Sequence, residues 1–86
     1  MNTEEYQGWK NRATWNVMLH INNEYGLYSS AVEFMSTYSG KRPYKAFIHS
    51  AGLEGSRTGD RFKFLSRNLC YTELNEAMLE FKESEV

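Results

Sequence analysis

Few side chains in this chain have chemistry to offer, and their spacing limits what they can do. Cys70 is the single cysteine, and His20 and His49 are the only histidines, 29 positions apart. A structural zinc site needs about four thiolate or imidazole ligands, and these three do not make a set. A Cys–His nucleophile pair is the one covalent chemistry on offer, and a helix N-terminus would help it by lowering the thiol pKa. Cys70 stands between Leu69 and Tyr71 just ahead of a helical pattern, where a small buried filler is expected. Glu73, Glu76, Glu80 and Glu83 recur three and four residues apart, which is the pattern of a solvated helix face rather than an acid–base pair. Gly52, Gly55 and Gly59 punctuate a loop, but no Gly-Lys-Ser/Thr follows to cradle a phosphate. No catalytic residue, metal site or cofactor is expected, and the chain reads as a non-enzyme.

Binding chemistry is better represented. Net charge is −1, but its distribution is uneven. Residues 40–67 carry seven basic side chains against Glu54 and Asp60, while residues 68–86 carry five glutamates against Lys82. The plain interpretation is that these charges solvate a small fold and partly neutralise each other. The sharper one is that the middle presents a basic face to an acidic partner. Arg61-Phe-Lys-Phe64 and Lys41-Arg-Pro-Tyr-Lys45 also interleave cations with rings, as single-strand nucleic-acid platforms do. A slightly acidic chain with a glutamate-rich last helix argues against a phosphate backbone as partner. The residues expected to meet a partner are the polar strip Asn16, His20, Asn23 and Glu24, together with Arg57, Arg61 and Lys63 in and beside the loop.

These residues need elements to position them. The densest apolar run is 13–21, and it supports two periods. Alternation of Ala13, Trp15, Val17, Leu19 and Ile21 fits a half-buried strand. At about 100° per residue, Trp15, Val17, Met18, Leu19 and Ile21 share a broad arc, with Asn16, His20, Asn23 and Glu24 opposite. The helix is favoured, because it places Met18, starts at a good N-cap in Asn11 and meets a stop at Gly26. Tyr25–Tyr38 is amphipathic through Leu27, Ala31, Phe34, Met35 and Tyr38, and Ser39-Gly40 ends it. Pro43 suits the first turn of a third helix, which Gly52 closes. Residues 52–59 form a flexible loop by composition. In 60–67 a short helix capped by Asp60 competes with an edge strand carrying Phe62 and Phe64, and the helix is preferred. Leu74, Ala77, Met78 and Phe81 mark a last helix over 71–83.

Gly8-Trp9, then Asn11-x-x-Thr14-Trp15-x-Val17-x-Leu19, then Asn22-Asn23-Glu24-x-Gly26-x-Tyr28 resemble a small family of unknown function. Its members are carried by bacteriophages, plasmids and bacterial genomes. The tail Leu69-Cys-Tyr-Thr-Glu-Leu-Asn-Glu76 is similar to the closing helix of that family. This chain has His20 where a second Trp is frequent there, and Cys70-Tyr71 where an acid and Trp are common. The likeness covers roughly a third of the chain and leaves the middle, residues 40–67, unmatched. It implies a mobile-element origin and no particular reaction.

The expected architecture is mostly α: one domain over 1–86, a compact bundle of four to five short helices, with one short hairpin or strand possible near 61–66. Residues 1–10 form a frayed arm from which Tyr6 and Trp9 fold back on the first helix. Trp15, Leu19, Leu27, Ala31, Met35, Phe47, Ile48, Leu74, Met78 and Phe81 form the expected core. One cysteine fits a reducing cytosol, no apolar run reaches a membrane span of about 18 residues, and the acidic start is no signal peptide. The expected function is stoichiometric binding to another protein; the resemblance to the mobile-element family implies a host protein or complex in the bacterial cytoplasm as partner, with the chain an inhibitor of a defence complex of anti-CRISPR or anti-restriction type. The alternative is a nucleic-acid-binding accessory protein using 41–67. Thirteen aromatics in so short a chain also leave rings over for a homodimer.

Overall fold

The helical period wins in the apolar run. In the computed structural model, which describes residues 6–84, α1 spans Arg12–Asn23 and α2 spans Tyr25–Thr37, while α3 is Pro43–Ser50 and α4 is Tyr71–Ser84. Among the described residues there is no strand, only the isolated bridges Tyr6–Trp9 and Arg57–Lys63. Every helix of the four touches α2 or α4, and α4 packs on all three others. No helix among these residues is long and apolar enough to cross a membrane.

Each helix boundary has a local cause. Asn11 caps α1: its Oδ1 accepts the Thr14 backbone N–H at 2.9 Å and the Thr14 hydroxyl at 2.7 Å. That hydroxyl in turn accepts the Cys70 N–H at 2.9 Å, and Asn11 Nδ2 donates to the Asn68 carbonyl at 2.7 Å. Lys10 N–H adds a bond to Glu73 Oε1 at 2.8 Å. The start of α1 is thereby tied to the start of α4. Gly26, expected as the stop of α1, lies inside the first turn of α2; the break is made one step earlier by Glu24, whose backbone is extended. Glu24 serves both helices. Its N–H closes α1 on the His20 carbonyl and its carbonyl accepts Tyr28 N–H, so one residue makes the corner.

Pro43 opens α3, as its fixed φ and missing N–H favour. The next free donor, Tyr44 N–H, is satisfied from across the bundle by Asn75 Oδ1 at 2.9 Å. At the other end Gly52 adopts φ +72, Leu53 N–H reaches the Ile48 carbonyl at 2.9 Å and Gly52 N–H that of His49 at 3.2 Å. This is a Schellman closure, and Leu53 packs on the core beside it. Lys82 Nζ donates to the Tyr38 carbonyl at 2.6 Å, placing a cation where the α2 dipole is negative.

The core differs from expectation in α1. Thr14, Val17, Met18 and Ile21 are buried, at i, i+3, i+4 and i+7, and this stripe faces the other helices. Trp15 and Leu19 lie on the flank and Leu27 at an edge, and all three are only partly buried. Ala31, Met35, Phe47, Ile48, Leu74, Met78 and Phe81 are buried as expected, with Tyr44, Phe64 and Leu69 added. Trp15 is half-covered instead by Tyr6, whose ring meets it edge-on at 4.8 Å. Tyr6 is held there by a tight turn: Tyr6 and Trp9 exchange backbone bonds of 2.7 and 2.9 Å, with Gln7 and Gly8 both at positive φ, as a two-residue hairpin turn requires. Residues 1–5 of the expected arm lie outside the described residues.

Among the described residues there is no fifth helix. Residues 60–67, read as a short helix begun by Asp60, form turns and a bridge instead. The Phe62/Phe64 alternation was the informative signal there: Phe64 points into the core and Phe62 packs at its edge.

Asn11→Ala should lower stability by about 1–2 kcal/mol, because it removes the α1 cap and the tie to Asn68 together. Asn11→Asp keeps the cap and should recover part of the loss. Thermal melts followed by circular dichroism test this; equal midpoints for Asn11→Ala and the parent chain would rule the linkage out.

Candidate functional site

The segment between α3 and α4 is a pinned hairpin, where composition suggested a flexible loop. Its ladder is short. Phe64 N–H bonds to the Ser56 carbonyl at 3.2 Å, Thr58 N–H to that of Phe62 at 2.8 Å, and Arg61 N–H back to Thr58 at 2.8 Å. Gly59, Asp60 and Arg61 form the tip, and Arg61 takes φ +75. A turn followed by one left-handed residue is a usual three-residue hairpin loop. That position favours glycine, and a side chain there costs about 1 kcal/mol.

The tip is fixed to α1 by Asn16. This side chain was expected on the solvent-facing polar strip, but it is 0% exposed. The physical reason is that the polar side of α1 does not face water at this level: the hairpin covers it. Asn16 Oδ1 accepts the Thr58 hydroxyl at 2.7 Å, and its Nδ2 donates to Asp60 Oδ2 at 2.8 Å. The Thr58 oxygen also takes the Asp60 and Phe62 N–H groups at 3.2 Å each. A buried amide must be satisfied on both its oxygen and its nitrogen, and here both bonds go to one turn. Asn16 is thus buried beneath the hairpin that it holds, and is not exposed on a polar strip.

His20, one helical turn on, has Nε2 3.4 Å from Asp60 Oδ2, long for a hydrogen bond. The hydrogen bond from Asn16, and after it the weaker His20 contact, hold the Asp60 carboxyl below its usual value. The far end of the segment is anchored by rings. Tyr44 hydroxyl donates to the Phe64 carbonyl at 2.6 Å, and burial pushes that hydroxyl far above the ordinary tyrosine range, the nearby Tyr71 adding to it. Tyr71 Oη accepts Ser66 N–H and donates to the Ser66 carbonyl, both at 3.0 Å.

The seven residues nominated from sequence therefore separate. His20, Glu24 and Arg57 line one cavity of about 310 Å³, with Leu27, Leu53 and Phe64. Arg61 and Lys63 are exposed on the same hairpin outside it, and Asn23 is exposed at the end of α1 without joining the cavity. Asn16 lies beneath. Gly59 permits the close fit, since a Cβ there would stand 3.3 Å from His20 Cε1. Thr58, Asp60 and Tyr44 were missed as site-builders, and no local pattern marks them: their partners are 20 to 44 residues away. Cys70 is partly buried. Among the described residues no group of three His, Cys, Asp or Glu is arranged to hold a metal.

Residues 2–85 match a family of unknown function, DUF7249, and the chain belongs to it. No curated protein and no solved structure matches the chain.

Two outcomes follow from the Asn16 cluster. Thr58→Val should destabilise by about 1–3 kcal/mol in urea titrations, because it strands the Asn16 oxygen, whereas Thr58→Ser should stay near the parent. Asp60 is depressed when folded, so its contribution is complete above its ordinary value of 3.8 and is lost as pH falls through the lower folded value. Asp60→Asn should flatten the stability profile in that acid window alone; an unaltered profile would show that the carboxylate is not held by Asn16.

Proposed function

Starting from membership in a family whose function is unknown, we propose that this chain is a non-enzymatic protein-binding module, and that the hairpin 56–64 is its contact element. The observation that carries this reading is the fixed presentation of Arg57, Arg61 and Lys63, all exposed, on a turn bonded to α1 through Asn16. A preordered loop avoids much of the entropy cost that binding otherwise imposes. Arg61 keeps a side chain where the backbone favours glycine, and such local strain is typical of functional loops. The partner surface it suits is acidic.

The rival reading, single-stranded nucleic acid, has less to support it. Phe64 is 3% exposed, and Phe62 is partly buried with the Arg12 guanidinium 5.8 Å from its ring centre. Tyr71 is similarly covered by Lys45 Nζ at 4.8 Å. The rings among these cations are occupied within the fold, so bases have little to stack on.

The resemblance of residues 8–28 to proteins of phages, plasmids and bacteria extends the proposal. On it, the chain is a mobile-element product that binds a host complex stoichiometrically in the bacterial cytoplasm, with a defence complex of CRISPR or restriction type as the target.

Capture from nuclease-treated bacterial lysate tests the reading. The parent chain should retain a defined protein, and the Arg57→Glu, Arg61→Glu, Lys63→Glu triple variant should lose it with its circular dichroism unchanged. Arg61→Gly should melt higher, by up to about 1 kcal/mol of stability, yet capture less. Recovery of nucleic acid alone from untreated lysate, released between low and moderate salt, would replace this reading with its rival.

A further inference from the structure

We propose that the cavity at the root of the hairpin receives the C-terminal residue of the partner protein, an apolar side chain with its free carboxylate. This rests on the protein-binding reading above and adds the identity of the group recognised.

Three chemically distinct walls meet in this cavity of about 310 Å³. Its apolar part is Leu27, Leu53 and Phe64, all packed in or against the core. Phe64 is fixed further by the Tyr44 bond to its carbonyl. The cationic part is Arg57. Its guanidinium gives one N–H to the Arg61 carbonyl at 3.3 Å, and a guanidinium has five, which leaves the paired donors that a carboxylate takes in bidentate fashion. The third part is Glu24, exposed at the end of α1, an acceptor suited to the amide N–H that a C-terminal residue still carries.

An apolar side chain, a carboxylate and one N–H on the same carbon describe the last residue of a polypeptide. An internal residue lacks the carboxylate. A free amino acid offers all three groups, but the cavity is open to solvent, and small ligands need most of their surface enclosed. The end of a longer chain loses less, because the residues before it extend outward. Arg61 and Lys63 are exposed on the same hairpin outside the cavity, so acidic residues are favoured just ahead of the apolar terminus.

Amide NMR of the full chain, titrated with the peptide acetyl-Asp-Glu-Glu-Leu as free acid and as C-terminal amide, tests this. The acid should shift the resonances of Leu53, Arg57 and Gly59, and the amide should bind about tenfold more weakly. Arg57→Gln should cost the acid a similar factor and Arg57→Lys less, with the spectra otherwise folded. Equal binding of acid and amide, equal binding of free leucine, or no shift up to about 10 mM peptide would overturn the proposal. If lysate capture still depends on the hairpin charges in that case, the protein-binding reading stands and only this terminus-binding site is removed.

Discussion

The arrangement of the proposed contact surface depends on a single buried amide. Asn16 sits on the side of α1 turned away from the helical core stripe, and its oxygen and nitrogen both bond to the tip of the hairpin. A buried carboxamide without partners costs on the order of 1–3 kcal/mol, so the hairpin is required to return to α1 at this point and in this register. The Thr58 hydroxyl then distributes the restraint, donating to Asn16 while accepting two N–H groups of the turn. The rest follows from that docking: Gly59 against His20, Arg57 over the cavity and Arg61 at the tip.

The helical part supplies a frame with little freedom. Because α4 packs on each of the other helices, it fixes the distance between α1 and α3, the two elements that hold the hairpin at its opposite ends. Asn16 holds the tip from α1 and Tyr44 holds Phe64 from α3. A long segment with no helix of its own is therefore restrained by side chains at both ends, and its backbone need not form a sheet to stay ordered. Polar ties carry much of this restraint, as a small domain with limited apolar burial demands.

The same economy bears on the choice of partner. Rings that stand beside cations in the sequence are turned inward or covered, while the cations remain outside. On the proposed reading, a surface built this way would recognise charge and hydrogen-bond geometry more than flat aromatic faces. The net charges of residues 40–67 (+5) and 68–86 (−4) nearly cancel, so attraction is confined to a local patch and does not extend over the whole molecule.

Four helices were legible in the sequence because their causes are local. Asn11 caps its own first turn, Pro43 starts α3, Gly52 ends it, and the spacing of Leu74, Met78 and Phe81 repeats within one helix. The burial of Met18 also followed from a 3.6-residue period. Periodicity divides a helix into faces, but it does not say what will cover each one. Trp15 and Leu19 were read as core and lie on the flank, and Asn16 was read as solvent-facing and is buried, because the hairpin that covers it comes from more than 40 residues away. Phe62 and Phe64 carried a strand-like signal, yet pairing across a turn is a non-local event and a single segment cannot report it. The sequence by itself determined the helices and the supply of charge; tertiary packing alone decided which polar residues became the foundation of the site and which remained at its surface, since only long-range contacts can remove a polar side chain from water.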